Sequence, residues 1–326
     1  MHTDDYLCVT NNPSWFDEFF QHYNSVFSAE RRDIVDSFCG ISLDIQSDKI
    51  LFSQEGTIRN YLSSLKRDTQ ILPRDTPCKE SALNLPKNTQ KDSSVPYESA
   101  IGSHLWFARM TRPDISFATI YHAKYTACST WEHYESVLDC ARYLEKTSHY
   151  QLAYSKSGTN GFKIKVMTDA DWAEDKDDRK SYQSYIVFLN DKPIIWNCSK
   201  QSVVATSTFE AEYMALAEGV KAALYLKNLL SGIIELEDGP IELWVDNKAA
   251  KAFAENEGCN QRTKHVDIRY HFVRDYIQKG EFAIRYVESA SNTSDLLTKP
   301  LPAATQFKHS ATLLDVTERG GVTKSG

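Results

Sequence analysis

The rhythm of hydrophobic positions along the chain changes twice. A short apolar run, Tyr6 to Val9, follows Asp4 and Asp5 directly and predicts a strand. Trp15, Phe16, Phe19, Phe20 and Tyr23 recur at about 3.6 residues and predict a helix. Phe38 to Ile45 and Lys49 to Ser53 read as two strands able to form a hairpin, and Gly56 to Leu65 as a second helix. From Asn84 to Pro96 the chain is polar with a proline near each end, which predicts a loop or linker. Helical spacing returns between Tyr97 and about Tyr150, with Ile101, Leu105 and Ala108 on one face and Val137, Ala141 and Leu144 on another. Thr111-Arg112-Pro113-Asp114 interrupts it, and Pro113 is suited to the first turn of the next helix.

After about residue 160 the pattern turns to alternation. Phe162 to Met167, Tyr182 to Leu189 and Pro193 to Cys198 predict three strands in series, the last two joined by Asn190-Asp191-Lys192, as in an antiparallel meander. A long helix follows from about Ser207 to Leu230, with Tyr213, Leu216, Val220 and Leu224 as its apolar ridge. Then come a strand (Ile241 to Val245), two helices (Lys248 to Glu255 and Val266 to Gln278), a strand (Phe282 to Val287) and a short helix from Thr293. The order β-β-β-α-β-α-α-β-α predicts one mixed sheet with helices packed on it.

Composition narrows the class. The 326 residues are 41% hydrophobic and 25% charged, ordinary for a globular protein and enough for two or three compact units. A formal net charge of −7 argues against a broadly basic nucleic-acid binder while leaving room for a local basic groove. The seven cysteines (Cys8, Cys39, Cys78, Cys128, Cys140, Cys198, Cys259) are scattered, with no Cys-x-x-Cys pair, so neither a zinc site nor a disulfide framework is expected. There is no run of membrane-spanning length, and Met1-His2-Thr3-Asp4-Asp5 lacks the basic start and apolar core of a signal peptide.

Four acids stand at the edges of different predicted elements: Asp169 in Thr168-Asp169-Ala170-Asp171-Trp172, Glu212 in Glu210-Ala211-Glu212-Tyr213, Asp246 in Trp244-Val245-Asp246-Asn247, and Asp295 in Ser294-Asp295-Leu296-Leu297. An acid ending a hydrophobic strand is costly unless a cation faces it. If the strands of Asp169 and Asp246 are neighbours, about 4.8 Å apart, their carboxylates can share an ion. Glu210 and Glu212 do not share a helix face, so only one of them is expected to point inward. Such a set suits hard divalent cations, in the manner of two-metal phosphodiester sites.

The strings Thr168-Asp-Ala-Asp-Trp-Ala173, Asp177-Asp-Arg-Lys-Ser181, Glu210-Ala-Glu-Tyr-Met-Ala-Leu216, Asp246-Asn247, Arg262-Thr-Lys-His-Val-Asp-Ile-Arg-Tyr-His-Phe272 and Asp295-Leu-Leu-Thr-Lys-Pro-Leu301 together resemble the ribonuclease H domain of copia-type (Pseudoviridae) LTR retrotransposon Pol polyproteins. Pro96-Tyr97, Ala100-Ile-Gly-Ser103 and Thr111-Arg-Pro-Asp-Ile115 resemble their connection region. Thr3-Asp4-Asp5 resembles the end of the Tyr-x-Asp-Asp box of their reverse transcriptase, with His2 in place of tyrosine. The acid order Asp, Glu, Asp, Asp supports this, since an integrase or transposase would place its glutamate last.

The resemblance implies an α/β fold: a ribonuclease H-like mixed five-stranded sheet with flanking helices, preceded by an α+β reverse-transcriptase palm/thumb remnant and a helical connection segment. It divides the chain into a truncated reverse transcriptase (1–76), linker and connection (77–160), ribonuclease H domain (161–302) and C-terminal tail (303–326). It implies hydrolysis of RNA in RNA–DNA hybrids by Asp169, Glu212, Asp246 and Asp295 holding two Mg²⁺, with Mn²⁺ as a substitute. Arg262, Lys264 and His265 are the implied substrate contacts, and Lys200 a weaker candidate. Asp4 and Asp5 would be the remnant polymerase box; the polymerase's other metal-binding aspartate is expected to be absent, so polymerisation is not expected. Implied partners are the hybrid and other Pol or capsid proteins, with no membrane, at an intracellular address, cytoplasmic in virus-like particles and/or nuclear. The competing reading is a catalytically inactive remnant, either nucleic-acid-binding or inert. Three departures bear on it: Glu288-Ser-Ala-Ser291 stands where cellular ribonucleases H carry a histidine, and Glu174 and Ser184 stand where the family usually has glycine, which predicts backbone strain. Asp171 is expected to be structural. Trp172, Trp196, Trp244 and His271 are expected in the core.

Overall fold

The computed structural model describes residues 6–66, 71–155, 161–173, 175, 178–255 and 264–317, without the side chains of 253, 255 and 264–270. Asp4, Asp5, Glu174 and Arg262 lie outside the described residues, as do the side chains of Lys264 and His265.

Helix α1 (Pro13–Val26) starts where Asn12 accepts a hydrogen bond from the Trp15 amide and Pro13 takes the first turn. None of its residues is buried. The strand expected over Tyr6–Val9 does not form; Tyr6 and Val9 are exposed, and a lone apolar run with no neighbouring strand has nowhere to place its amides. The run expected as one strand from Phe38 folds back on itself. Cys39 and Gly40 have φ of 48° and 74°, which matches a two-residue hairpin turn, so β1 (Ser37–Phe38) pairs antiparallel with β2 (Ile41–Ile45). β2 continues into a hairpin with β3 (Lys49–Ser53), and helix α2 (Glu55–Leu65) follows, burying Ile58 and Leu62.

The polar stretch after Asn84 is irregular but tied down: the Thr89 hydroxyl donates to the Cys128 carbonyl at 2.5 Å and the Asp92 amide to Ser129 at 2.9 Å. Helices α3 (Tyr97–Met110), α4 (Ser116–Ala123) and α5 (Trp131–Thr147) come next. Strand β4 (Leu152–Ser155) then returns to β3, pairing Phe52 with Leu152 and closing a four-stranded sheet ordered β1-β2-β3-β4.

The second sheet comprises β5 (Ile164–Asp171), β6 (Tyr182–Leu189), β7 (Lys192–Lys200), β8 (Ile241–Val245) and β9 (Phe282–Tyr286), ordered β7-β6-β5-β8-β9. β6 runs antiparallel to both β5 and β7, whereas β8 runs parallel to both β5 and β9. This is the ribonuclease H-like mixed five-stranded sheet. Asn190 and Asp191, with φ of 49° and 62°, make the tight turn between β6 and β7. Helix α6 (Thr208–Leu230) crosses one face with α7 (Lys248–Glu255) and α8 (Lys264–Gln278), and the apolar sides of α6 and the sheet form one core. The other face meets the connection helices: Tyr182, Ile186, Phe188 and Cys198 share a core with Phe117, Tyr121 and Leu144. Helix α9 (Ala303–Leu313) packs back onto this second core through Leu313. His271, expected in the core, stands exposed on α8. Helical spacing alone did not distinguish that face from the buried one.

Two positions fix this architecture. Arg112 is fully buried; its guanidinium forms two bonds with Asp114, at 2.9 and 2.7 Å, and donates to the carbonyl and hydroxyl of Thr147. Arg112→Ala would strand the Asp114 carboxylate in the core and is expected to cost about 3–5 kcal/mol in urea unfolding. At Gly219 a Cβ would sit 2.7 Å from Thr168 Cγ2 and 3.0 Å from Val166 Cγ1, so α6 approaches β5 only because that side chain is missing. Gly219→Ala is expected to lower stability by about 1–3 kcal/mol, read as a lower thermal midpoint, because overpacking outweighs alanine's helix preference.

Candidate metal centre

The site forms at the carboxyl ends of β5 and β8. Their pairing runs from Lys165–Glu242 to Met167–Trp244, and the same register carried two residues further sets Asp169 beside Asp246. In parallel arrangements this end of the sheet is where the strands part and side chains from neighbouring strands converge.

Glu212 comes from the opening of α6. Ser207 caps that helix by accepting from the Glu210 amide, and the Glu210 carboxylate turns back to accept from the Thr206 amide and hydroxyl, each at 2.6 Å. Glu210 therefore holds the helix start while Glu212, two residues on, reaches inward. Both are buried, and the capping bonds decide which acid joins the site.

Ligand atoms of Asp169, Glu212 and Asp246 all lie within 4.8 Å of one another. Asp169 is 2% exposed and its Oδ2 accepts from the Thr298 hydroxyl; Asp246 Oδ2 accepts from Ser289 Oγ at 2.6 Å. Glu212 Oε2 has no hydrogen-bond partner. Burial, then the charges of Asp169 and Asp246, push the Glu212 carboxyl well above its ordinary range, and burial with Asp169 raises Asp246.

Asp295 sits beside this group. Its short 3-10 helix (Thr293–Leu297) is stitched to β5 by Asn292, which donates to the Thr168 carbonyl at 3.0 Å, and to β6 by Ser294, whose hydroxyl lies 2.8 Å from that of Ser184. One Asp295 oxygen pairs with the Lys299 ammonium at 3.0 Å, while its Oδ1 is unpartnered. Burial and Asp169 push Asp295 up to about 8 despite Lys299. Burial pulls the Lys299 ammonium down, but Asp169, 3.9 Å away, and Asp295 outweigh this and raise it. Burial and the crowding of these acids around one ammonium, Lys299, together favour the protonated carboxyls.

The structure thus brings together Asp169, Glu212 and Asp246, and sets Asp295 on Lys299 next to them. Sequence reasoning missed Lys299, although it stands within a quoted string four residues after Asp295, the spacing at which charges pair on a helix. Asp171 is half-buried at the end of β5. Lys200 is committed to Asp175 and Asp178, at 2.7 and 2.8 Å, rather than open to a ligand. Trp196 and Trp244 are half-buried, but Trp172 is 43% exposed, against expectation, because it follows the last residue of β5 and no element among the described residues covers it. Ser184 also departs from the strain expected of it: its backbone is not in the left-handed region, and its buried hydroxyl donates to the Ser294 carbonyl at 3.0 Å.

The chain is 31% identical over 322 residues to the retrovirus-related Pol polyprotein from transposon RE1 of Arabidopsis thaliana, covering 97% of this chain and 21% of that protein. It is 32% identical over 263 residues to the Pol polyprotein from transposon TNT 1-94 of Nicotiana tabacum, covering 78% of this chain and 19% of the relative. It therefore spans about a fifth of the length of the curated relatives it matches. A similar solved structure is ribonuclease H1 from Halobacterium salinarum NRC-1, 14% identical with a TM-score of 0.33, covering 42% of this chain and 94% of that one. No family model matches.

The raised carboxyls carry a sign. A carboxyl whose folded pKa lies above its unfolded value binds more protons when folded, so stability falls as pH rises between the two. With divalent metal chelated, the thermal midpoint is expected to fall from about pH 4, the ordinary carboxyl range, to pH 8, where Asp295 titrates. Asp295→Asn should flatten that slope in a pH series of melts.

Proposed function

We propose that this chain, which belongs to the retrovirus-related Pol polyproteins of copia-type transposons, is the metal-dependent ribonuclease H of such a polyprotein, hydrolysing RNA phosphodiesters in RNA–DNA hybrids. The observation that carries the proposal is the convergence of Asp169, Glu212 and Asp246 from two strands and a helix within 4.8 Å on a ribonuclease H-like sheet.

The residues fit divalent cations. An all-carboxylate set favours a hard ion such as Mg²⁺, with Mn²⁺ as a substitute. The unpartnered Oε2 of Glu212 and Oδ1 of Asp295 are buried acceptors that a cation would satisfy. Asp169, Glu212 and Asp246 would hold one ion, and Asp169 with Asp295 a second, displacing Lys299 from its pair. Cations so held supply neutralisation of the phosphodiester's charge and a more acidic bound water. The chain's own part is orientation. Thr298 fixes Asp169 and Ser289 fixes Asp246. Gly219 lets α6 come close enough for Glu212 to reach the pair.

A hybrid would be recognised by shape and by RNA 2′-hydroxyls rather than by base sequence. Arg262, Lys264 and His265 remain the proposed backbone contacts. Among the described residues no helix is long and apolar enough to cross a membrane.

With Mg²⁺, the purified protein is expected to cleave a labelled RNA–DNA hybrid, and Asp169→Asn to abolish cleavage while remaining folded. Millimolar Mg²⁺ at about a hundred times its dissociation constant should add about 2.7 kcal/mol to wild-type stability and little to the variant. A folded wild-type protein that shows neither cleavage nor a metal-dependent shift would establish the inactive-remnant reading.

A further inference from the structure

The ribonuclease reading leaves one feature at the site's edge unused. Trp172 follows the last residue of β5, three residues from Asp169, and is 43% exposed. Its ring is not loose: the indole N–H donates to the Ala205 carbonyl at 3.1 Å. Ala205 is buried with Ala170, Ala211 and Ala215, which ties this contact to β5 and the start of α6. Just before Ala205, Val203 and Val204 are 47% and 48% exposed. Just after Trp172, Ala173 has a φ of 53°, and its amide is held by the Ser181 hydroxyl at 3.1 Å. The indole thus sits between a hydrogen-bonded anchor and a left-handed residue, half open to solvent. Left-handed backbone at a non-glycine residue persists only where its surroundings enforce it. The result is a rigid apolar ridge of Trp172, Val203 and Val204, anchored to the elements that carry Asp169 and Glu212.

We propose that this ridge is a substrate-positioning surface that packs against sugars in the minor groove of an RNA–DNA hybrid, close to the scissile phosphate. The inference rests on the ribonuclease reading and deepens it. Three residues of extended chain from Asp169 reach at most about 10 Å. A nucleic-acid strand advances about 3.4 Å per nucleotide, so a phosphodiester held at the carboxylates brings the sugars of about the next three nucleotides past the ridge. Paired bases hide their faces from the indole, whereas the wide, shallow minor groove of an A-like duplex exposes sugar edges to a flat apolar surface. A single strand would instead offer base faces for stacking, which is a different mode with a different signature.

The test uses the full chain with Trp172→Ala, Trp172→Phe and the paired Val203→Ser/Val204→Ser. Cleavage of a labelled hybrid gives KM and kcat, and fluorescence anisotropy without divalent metal gives dissociation constants for the hybrid and for single-stranded RNA of the same sequence. Trp172→Ala is expected to raise KM and the hybrid dissociation constant roughly tenfold, the scale of one lost aromatic contact, with kcat retained and single-strand binding unchanged. Trp172→Phe keeps an apolar ring without the N–H anchor and should largely rescue; the valine pair should weaken hybrid binding in the same direction without touching that anchor. Unchanged hybrid affinity in Trp172→Ala and the valine pair overturns the proposal. So does an equal loss for single-stranded RNA, or a fall in kcat with KM unchanged. If wild-type protein binds hybrid without cutting it, the ribonuclease reading fails while the ridge stands or falls on the dissociation constants. If it binds no hybrid, both fail.

Discussion

A buried guanidinium organises this molecule. Arg112 is inaccessible to solvent, and removing such a charge from water costs several kcal/mol unless each donor is met. Here the donors are met by an acid two residues on and by a threonine far along the chain. Asp114 takes the guanidinium fork, Thr147 at the end of α5 takes two more bonds, and the Tyr143 hydroxyl donates to the same Asp114 carboxylate at 2.8 Å. Gln306 of α9 closes the arrangement by donating to the Asp114 carbonyl at 3.1 Å. The rings of Tyr143 and Tyr150 lie 5.7 and 5.4 Å from the guanidinium carbon, within reach of a cation–π contact. With α3, α5 and α9 fixed relative to one another, Phe117 and Tyr121 are presented to Tyr182 at ring separations of 5.6 Å. Tyr182 begins β6, whose ladder partner is β5, the strand of Asp169. The carboxylate end of the sheet thus rests on a floor set by a charge network that joins α5 and α9 to the segment after α3.

The second constraint is the crowding of negative charge. Separate local devices place Asp169, Glu212, Asp246 and Asp295: a ladder register, a helix cap, a strand end and a turn bonded to two strands. What relieves the repulsion is Lys299, paired with Asp295 and near Asp169, together with the raised carboxyls of Glu212 and Asp295. Ser184, where the resemblance leads one to expect glycine, supplies one of those devices, since its hydroxyl donates to the Ser294 carbonyl in the Asp295 turn.

The sheet strands and α6 were legible because their apolar spacing is strong and long, and the four acids because each stands at the edge of a different apolar element. What was not legible depends on partners far along the chain. Nothing local in Phe52 announces Leu152 as its neighbour. Tyr6 to Val9 has strand composition without a strand to pair with, and His271 has helical spacing without a covering element. Lys299 and Trp172 stand within the motifs that carry the acids, yet their surroundings are set by what stands across from them: two carboxylates for the lysine, open solvent for the indole.

The pairing of β3 with β4 has a consequence for synthesis. Phe52 and Leu152 are 100 residues apart (152 − 52), so one edge of β3 stays open until the helices between them have been made. At about 5–20 residues per second on the ribosome, that edge waits roughly 5–20 s for its partner. The first sheet therefore matures in a nascent chain, late and by a non-local contact of the kind that slows folding. During that interval the open edge of β3 is exposed to pairing with other chains. The protein's yield in a cell then rests on a race between elongation and association, well before any carboxylate meets a cation.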